Sequence, residues 1–527
     1  MRIALKGNRG PRRRQAPVWT AASDSWPAPT EGWDTETPAA ELPPTRAIVF
    51  DNWIPHGVEL EMRRGMDAHV TGIANQVETL MPWNGGAASK LFAASNGSLY
   101  DVTSAGAVGA ASLTGQSSDF YRWVNFQTPA TLPFLWVCND SAVDVPQHFN
   151  GTTWSAPTLN MPVGYTASDI TCVWESKQRL FVLLGGLTAG YLDIESIAGD
   201  VTKLPLGSVF SKGGELVDGT RVSRDGGDGM EDFTAFLTSE GEVAVYAGSD
   251  PSDATDWTKV GRWWVGEPVG KRPFVDLGAD VGILTRNGLV SLLAVMAGAG
   301  DVDPATFPFI TARISTPVRE RARIDPSNPI WQACVYPGGD LLVINGPLST
   351  TGAQQFVRHR ITGCWGRFTG WNMACLCEFN GKLYGGGIAG DVYLLDSGHD
   401  DNGEDIIGEI QWPWSSLGSR GVVKQMVKAR PIVTTETGAA ISMVARADYA
   451  DTPPVPTAPD STLSDGLVWG EGRWGEGRWG GRSLGARQWR TISAVGHAIS
   501  IVLRARSRQS KFALNGLDMI FNLGGPV

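Results

Sequence analysis

The chain has 527 residues, 42% of them hydrophobic and 19% charged, with a formal net charge of −10. That balance excludes global disorder, and 65 Gly with 32 Pro fit many short strands joined by turns better than a low-complexity chain. The longest uncharged apolar stretch, Asn287 to Gly300, is too short and too Gly-rich to span a membrane, and no apolar segment of the secretory type follows the basic start.

Charge is unevenly spread. Residues 1–23 carry +6 and residues 466–527 another +6, which leaves −22 on residues 24–465. An acidic body with basic ends suits end-to-body contacts between subunits, or basic ends beside nucleic acid. Solvated surface charge with no partner accounts for it equally.

Residues 1–45 read as a basic, Pro-rich arm and linker, with Arg12, Arg13 and Arg14 at its head and Pro43-Pro44 at its end. So little apolar area cannot order itself alone, so the arm is expected to order on a partner, such as a neighbouring subunit. Residues 46–84 carry turn chemistry between Asn52 and Gly57, with short strands on either side. This segment is expected to lend a strand to the last repeat of the following region and so close it into a ring.

From about residue 85 to 410 a two-strand phrase recurs: an apolar run, a tight Gly/Asn turn and a second run. Its starts are Leu91, Leu135, Leu180, Thr234, Val281, Leu341 and Met373, on average 47 residues apart, with outlying intervals of 60 and 32. Hairpins at this period mark a β-propeller, here of six or seven blades over residues 46–410. Asn96-Gly97, Asn287-Gly288 and Asn380-Gly381 suit type I′ turns, which need positive φ at both central positions. Leu289 to Met296 fits a strand or a short helix equally, because periodicity does not separate the two over so short a run.

Residues 411–527 change character. Alternation at 440–444, 499–504 and 517–523 predicts a separate C-terminal β-domain of the sandwich type. Within it, residues 466–490 form a loop rich in Trp, Gly and Arg. Trp469, Trp474 and Trp479 are five residues apart, with Arg473 and Arg478 between them. Spacing by five matches neither a helix face nor a strand face. The rings are expected to pin an irregular segment to the sheet or to a neighbouring chain; cation–π stacking or phosphate contact is the alternative.

Catalytic chemistry is poorly supported. Asp225, Asp228, Glu231 and Asp232 cluster, as do Asp400, Asp401, Glu404 and Asp405. A glycosidase needs two carboxyls about 5–10 Å apart across a pocket, one with a raised pKa, and neither cluster has a partner fixed by sequence. The second cluster resembles an oxygen-rich cation loop but lacks the EF-hand spacing and its distal Glu. The six His are scattered and the six Cys lack metal spacing, so no metal site or cofactor is expected. Cys138, Cys172, Cys375 and Cys377 sit in apolar runs as small buried hydrophobes, consistent with folding in a reducing cytosol.

Several phrases are similar to those of tail proteins of short-tailed bacteriophages and their prophages. They are Ala47 to Gly65 (AIVFDNWIPHGVELEMRRG), Val77 to Val102, Phe149 to Trp154 (FNGTTW), Thr238 to Gly270 and Leu383 to Asp391 (LYGGGIAGD). The likeness spans about residues 46–410. It implies the tail nozzle, or hub, of a podophage: a non-enzymatic virion protein made in the host cytoplasm, six copies of which form a ring. That ring would lie below the head-to-tail adaptor, continue and plug the DNA channel, and dock tail fibres or spikes. DNA would pass an acidic lumen without sequence-specific binding, since like-charged walls avoid the affinity that counterion release gives basic grooves. The assembly residues expected on this reading are Arg12, Arg13, Arg14, Trp469, Arg473, Trp474, Arg478 and Trp479. The competing functions are a receptor- or glycan-binding propeller and, behind it, a propeller hydrolase or lyase.

Overall fold

The computed structural model describes residues 19–57, 59–86, 88–129, 133–225, 230–298, 309–349, 352–435, 440–450, 466–467, 478–479, 484–486, 488–508 and 511–526. They are mostly β, arranged in many small sheets. Seven antiparallel sheets follow one another along the chain. The first is Thr79–Asn84, Ser89–Ser95, Ser98–Asp101 and Ala111–Thr114; the second is Tyr121–Phe126, Phe134–Asn139, Gln147–Phe149 and Trp154–Ser155. The third runs from Cys172–Ser176 to Thr202–Pro205 and the fourth from Leu216–Asp225 to Thr258–Trp264. The fifth has three strands, Phe274–Asp276, Val281–Thr285 and Gly288–Ser291, and the sixth spans Gln332–Tyr336 to Trp365–Phe368. The seventh takes three strands from Met373–Phe379, Lys382–Gly387 and Val392–Leu395. Its fourth strand, Met66–Thr71, comes from the N-terminal side and pairs antiparallel with Val392–Leu395, the strand that residues 46–84 are expected to lend to the last repeat.

The leading strands of these sheets pack on one another in sequence, and Met373–Phe379 packs back against Thr79–Asn84, so the contacts form a closed cycle. Hydrophobic cores lie between successive sheets. Met81, Trp83 and Phe92 of the first meet Leu135, Val137 and Phe149 of the second. Val70, Val392 and Cys377 of the seventh meet Leu80 and Leu91 of the first. Each sheet is therefore covered on both faces, which accounts for near-continuous apolar strands such as Arg179–Leu183, buried throughout.

Each of the seven phrases falls in a different sheet, and six start on that sheet's second strand. The seventh starts on a first strand, which explains the short interval of 32 residues. The long interval of 60 holds helices Leu292–Ala297 and Ser315–Ile324. The ambiguous stretch Leu289 to Met296 is divided, strand to Ser291 and helix beyond it. Asn96-Gly97 and Asn380-Gly381 have positive φ at both positions, 51° and 69° in the first and 51° and 75° in the second, whereas Asn287-Gly288 has it only at Gly288, at 134°, and is not type I′. Asn345-Gly346 makes no turn, contrary to the phrase pattern. Strand Leu341–Ser349 runs straight through it. The buried Asn345 amide donates to the Met373 carbonyl at 2.9 Å, and a Cβ on Gly346 would meet the Trp331 ring at 3.1 Å. That glycine serves close packing.

A second body of two facing sheets is continuous with the first. Strand Val49–Asp51 joins the outer edge of the sixth sheet at Arg367, and Ile406–Gln411, Ile499–Ser507 and Ala440–Ala447 extend it outward. The facing sheet holds Val422–Thr435, Phe512–Pro526, Arg490–Gly496, Leu484–Ala486, Glu59–Met62 and Trp53–His56. Met426, Leu503, Leu514 and Phe521 belong to the shared core.

Two expectations shift here. The C-terminal β-region is not separate: it shares a ten-stranded sheet with the sixth sheet and borrows N-terminal strands. Nor do residues 20–45 require another subunit to order. Thr20–Pro27 pairs antiparallel with Phe512–Pro526 along its full length, and Trp26, Ala28, Trp33 and Leu42 are buried. Two tryptophans, Trp26 and Trp33, each able to bury about 150–250 Å², and an open sheet edge that satisfies the backbone supply what the Pro-rich composition lacks. Arg12, Arg13 and Arg14 lie outside the described residues.

Candidate functional site in the axial cavity

The leading strands of the cycle surround a cavity of about 340 Å³. It opens into a second space of about 660 Å³ that shares Trp123, Phe274, Asp276, Gln332, Ala333 and Leu376 with it. Alternation puts one side chain in two of each leading strand toward this axis. Several of those side chains are charged.

Arg122, from the second sheet, donates to Oδ1 of Asp218 in the fourth, and the Cys172 thiol donates to the same oxygen at 3.3 Å. Asp218 Oδ2 is buried without a partner. Burial pushes the Asp218 carboxyl upward and the Arg122 guanidinium pulls it down; the net direction is upward. Nearer the rim Arg221 pairs with Glu175 at 3.1 Å. Arg272, before the fifth sheet, is 8% exposed and donates through Nη2 to Thr79 Oγ1 at 2.6 Å and to the Tyr121 carbonyl at 3.0 Å. Burial lowers its pKa to about 10. The thiols of Cys138, Cys334, Cys375 and Cys377 are all pushed up, chiefly by burial, so they are protonated and unreactive at neutral pH.

The acidic clusters singled out in the sequence stand elsewhere. Arg63 engages both oxygens of Asp401, at 2.8 and 2.6 Å, and stacks over the Trp371 ring at 4.9 Å. Asp400 accepts from the Gly403 amide at 2.7 Å, and Asp405 lies 3.6 Å from Arg506. This cluster therefore ties a turn to the seventh sheet. In the other, Glu231 pairs with Arg224 and Asp232 accepts from Ser223; Asp228 lies outside the described residues. Among the described residues no group of three or more His, Cys, Asp or Glu side chains is placed to hold a metal ion.

Of the expected assembly residues, Trp469, Arg473 and Trp474 lie outside the described residues. Arg478–Trp479 pairs in parallel with Gly466–Leu467 through the backbone. Part of the basic C-terminal charge is matched inside the chain. Arg504 pairs with Glu409 at 2.5 Å, Lys511 with Glu61 at 2.5 Å and Arg506 with Asp405.

The cavity was missed in the sequence because six phrases begin on second strands, so most lining strands fall between them. The signal was an isolated Arg inside an apolar leading strand, as in Tyr121-Arg122-Trp123.

No family model matches the chain, and no curated protein matches it. Among solved structures, it is similar to BBS1N in a crystal structure with ARL6DN soaked with lead, at 12% identity and a TM-score of 0.39, covering 64% of this chain and 96% of that one. It is also similar to the computationally designed Ika8 protein, at 9% identity and a TM-score of 0.35, covering 62% of this chain and 99% of that one. Both likenesses are weak.

Proposed function

We propose that this chain is a structural subunit of the tail nozzle, or hub, of a short-tailed bacteriophage, built as a seven-bladed β-propeller fused to a β-sandwich-like domain. The closed cycle of leading strands supports the blade count, and Met66–Thr71 supplies the last blade's outer strand. The observation that carries the functional reading is where the phage-like phrases fall. Ala47 to Gly65 holds strands that join propeller to sandwich, Val77 to Val102 holds the first blade, and Leu383 to Asp391 lies in the closing blade. The other two, Phe149 to Trp154 and Thr238 to Gly270, lie in outer strands of the second and fourth blades, so the phrases run through the propeller and into its junction with the sandwich.

In this reading six copies form a ring below the head-to-tail adaptor and present docking surfaces to fibres or spikes. The ten-stranded sheet makes each subunit one stiff block, suited to holding a channel open. Internal pairing of Arg504, Arg506 and Lys511 leaves the acidic excess of the body to set the wall potential, so DNA slides instead of adhering. Native mass spectrometry of the full chain, alone and with the adaptor of the same phage, tests the assembly. Six-subunit rings in either sample support the reading. A monomer in both overturns it.

A further inference from the structure

We propose that Arg272 anchors a binding site for a small organic carboxylate in the axial cavity. Among the described residues three arginines are more than nine-tenths buried: Arg63 at 2%, Arg179 at 8% and Arg272 at 8% exposure. Arg63 pairs with Asp401, and Arg179 lies 3.6 Å from Asp250 and 3.8 Å from Asp193. Arg272 meets no carboxylate among the described residues. Its hydrogen bonds go to neutral oxygens, the Thr79 hydroxyl and the carbonyls of Tyr121 and Glu78, and its plane lies 4.1 Å from the Phe120 ring centre. Glu78 offers its backbone oxygen there, and burial together with Asp119 and Asp140 holds its carboxyl above the usual range, which makes it a poor counter-ion.

A buried cation without an anion is expensive, and proteins pair such groups or ligate them. Here the unpaired charge sits on the wall of a cavity of about 340 Å³, a volume in the range of small-ligand pockets. The neighbouring cations are already matched, Arg122 by Asp218 and Arg221 by Glu175, so among the described cations of this wall Arg272 alone has no carboxylate in contact. Asp276 on the same wall disfavours a dianion such as phosphate. Leu80, Trp123, Phe274 and Leu376 supply apolar walls for an organic body. A monoanionic carboxylate with a compact apolar group meets all three conditions. This site is independent of the tail-nozzle reading.

The test is saturation-transfer NMR and thermal denaturation of the full chain with benzoate, against benzyl alcohol and inorganic phosphate. Benzoate is expected to bind saturably, to raise the melting temperature with concentration, and to bind at least about tenfold more tightly than benzyl alcohol, as a hydrogen-bonded charge requires. Arg272→Gln should weaken benzoate by about tenfold or more, and Arg272→Lys should keep part of the affinity. Should Arg272→Gln fail to fold, Trp123→Leu, which leaves the charge in place, must still weaken benzoate. The proposal is overturned if the native chain shows no saturable benzoate binding, or binds benzyl alcohol or phosphate as tightly. It also fails if folded Arg272→Gln, or Trp123→Leu, binds benzoate like the native chain.

Discussion

Arg367 holds Asp51 in a two-pronged grip, Nε to Oδ1 at 2.8 Å and Nη2 to Oδ2 at 2.6 Å, across the seam where the sixth sheet becomes part of the sandwich. One strand further, Glu409 stands opposite Asp51, and Arg504 holds it at 2.8 Å through Nε. Two bidentate-capable arginines thus flank two adjacent carboxylates over four strands.

Removing one arginine leaves those acids to repel each other in a half-buried seam. Arg367→Met should destabilise the fold by about 1–3 kcal/mol, between the value of an exposed pair and the cost of breaking a fully buried one, because Arg367 is partly exposed. Adding Asp51→Asn should recover part of that loss. Urea denaturation of both variants and of the double variant measures the coupling; strict additivity would contradict the seam.

Asp34 gives a pH dependence of known sign. Burial raises its carboxyl, but the amides of Thr37 and Glu36, the Thr37 hydroxyl and Arg46 outweigh it, and the net shift is downward from 3.8. A carboxyl depressed in the folded state contributes stability that is present above its unfolded pKa and is lost as pH falls through the folded value. Asp34→Asn should therefore cost about 1–2 kcal/mol at neutral pH, with the gap to the native chain closing below pH ~4. An equal gap at pH 7 and pH 3, read by urea titration, would show that the charge is not what matters.

The ordered N-terminal segment predicts that Trp26→Ala and Trp33→Ala each destabilise the chain by about 3 kcal/mol, the usual cost of emptying a core Trp site. Trp33 also donates to the Ile48 carbonyl at 2.9 Å, a bond that alanine leaves unmade. Thermal melts unchanged by both substitutions would restore the picture of an arm that orders only on a partner.

All six cysteines are free, and five are buried. A thiol-reactive chromogen such as DTNB should label them slowly in the native state at pH 8, and label all six once the chain is denatured. Rapid native labelling of two or more would contradict the tight inter-sheet packing of Cys138, Cys172, Cys375 and Cys377.

What the sequence disclosed was local. Hairpin phrases carry their own turn chemistry, so Asn96-Gly97 and Asn380-Gly381 announced both turn and sheet. Cys138 and Cys375 revealed their burial through apolar neighbours. Pairings between distant segments left no such trace. Ser25 donates to Asp518 at 2.8 Å across 493 residues, and nothing near either residue names the other. The axial arginines were hidden for a related reason: the lining residues come from several leading strands far apart in sequence, and the cavity exists only once the cycle closes. Asn345-Gly346 shows the converse, a strong local turn signal overridden by a Trp ring that needs the space.

The central claim is that this chain is a ring subunit around a DNA channel. Cryo-electron microscopy of the full chain bound to the head-to-tail adaptor measures it most directly. The account predicts six copies around one axis, with a lumen lined mainly by acidic and neutral side chains. A single copy on the adaptor, or a lumen lined chiefly by Lys and Arg, would contradict it.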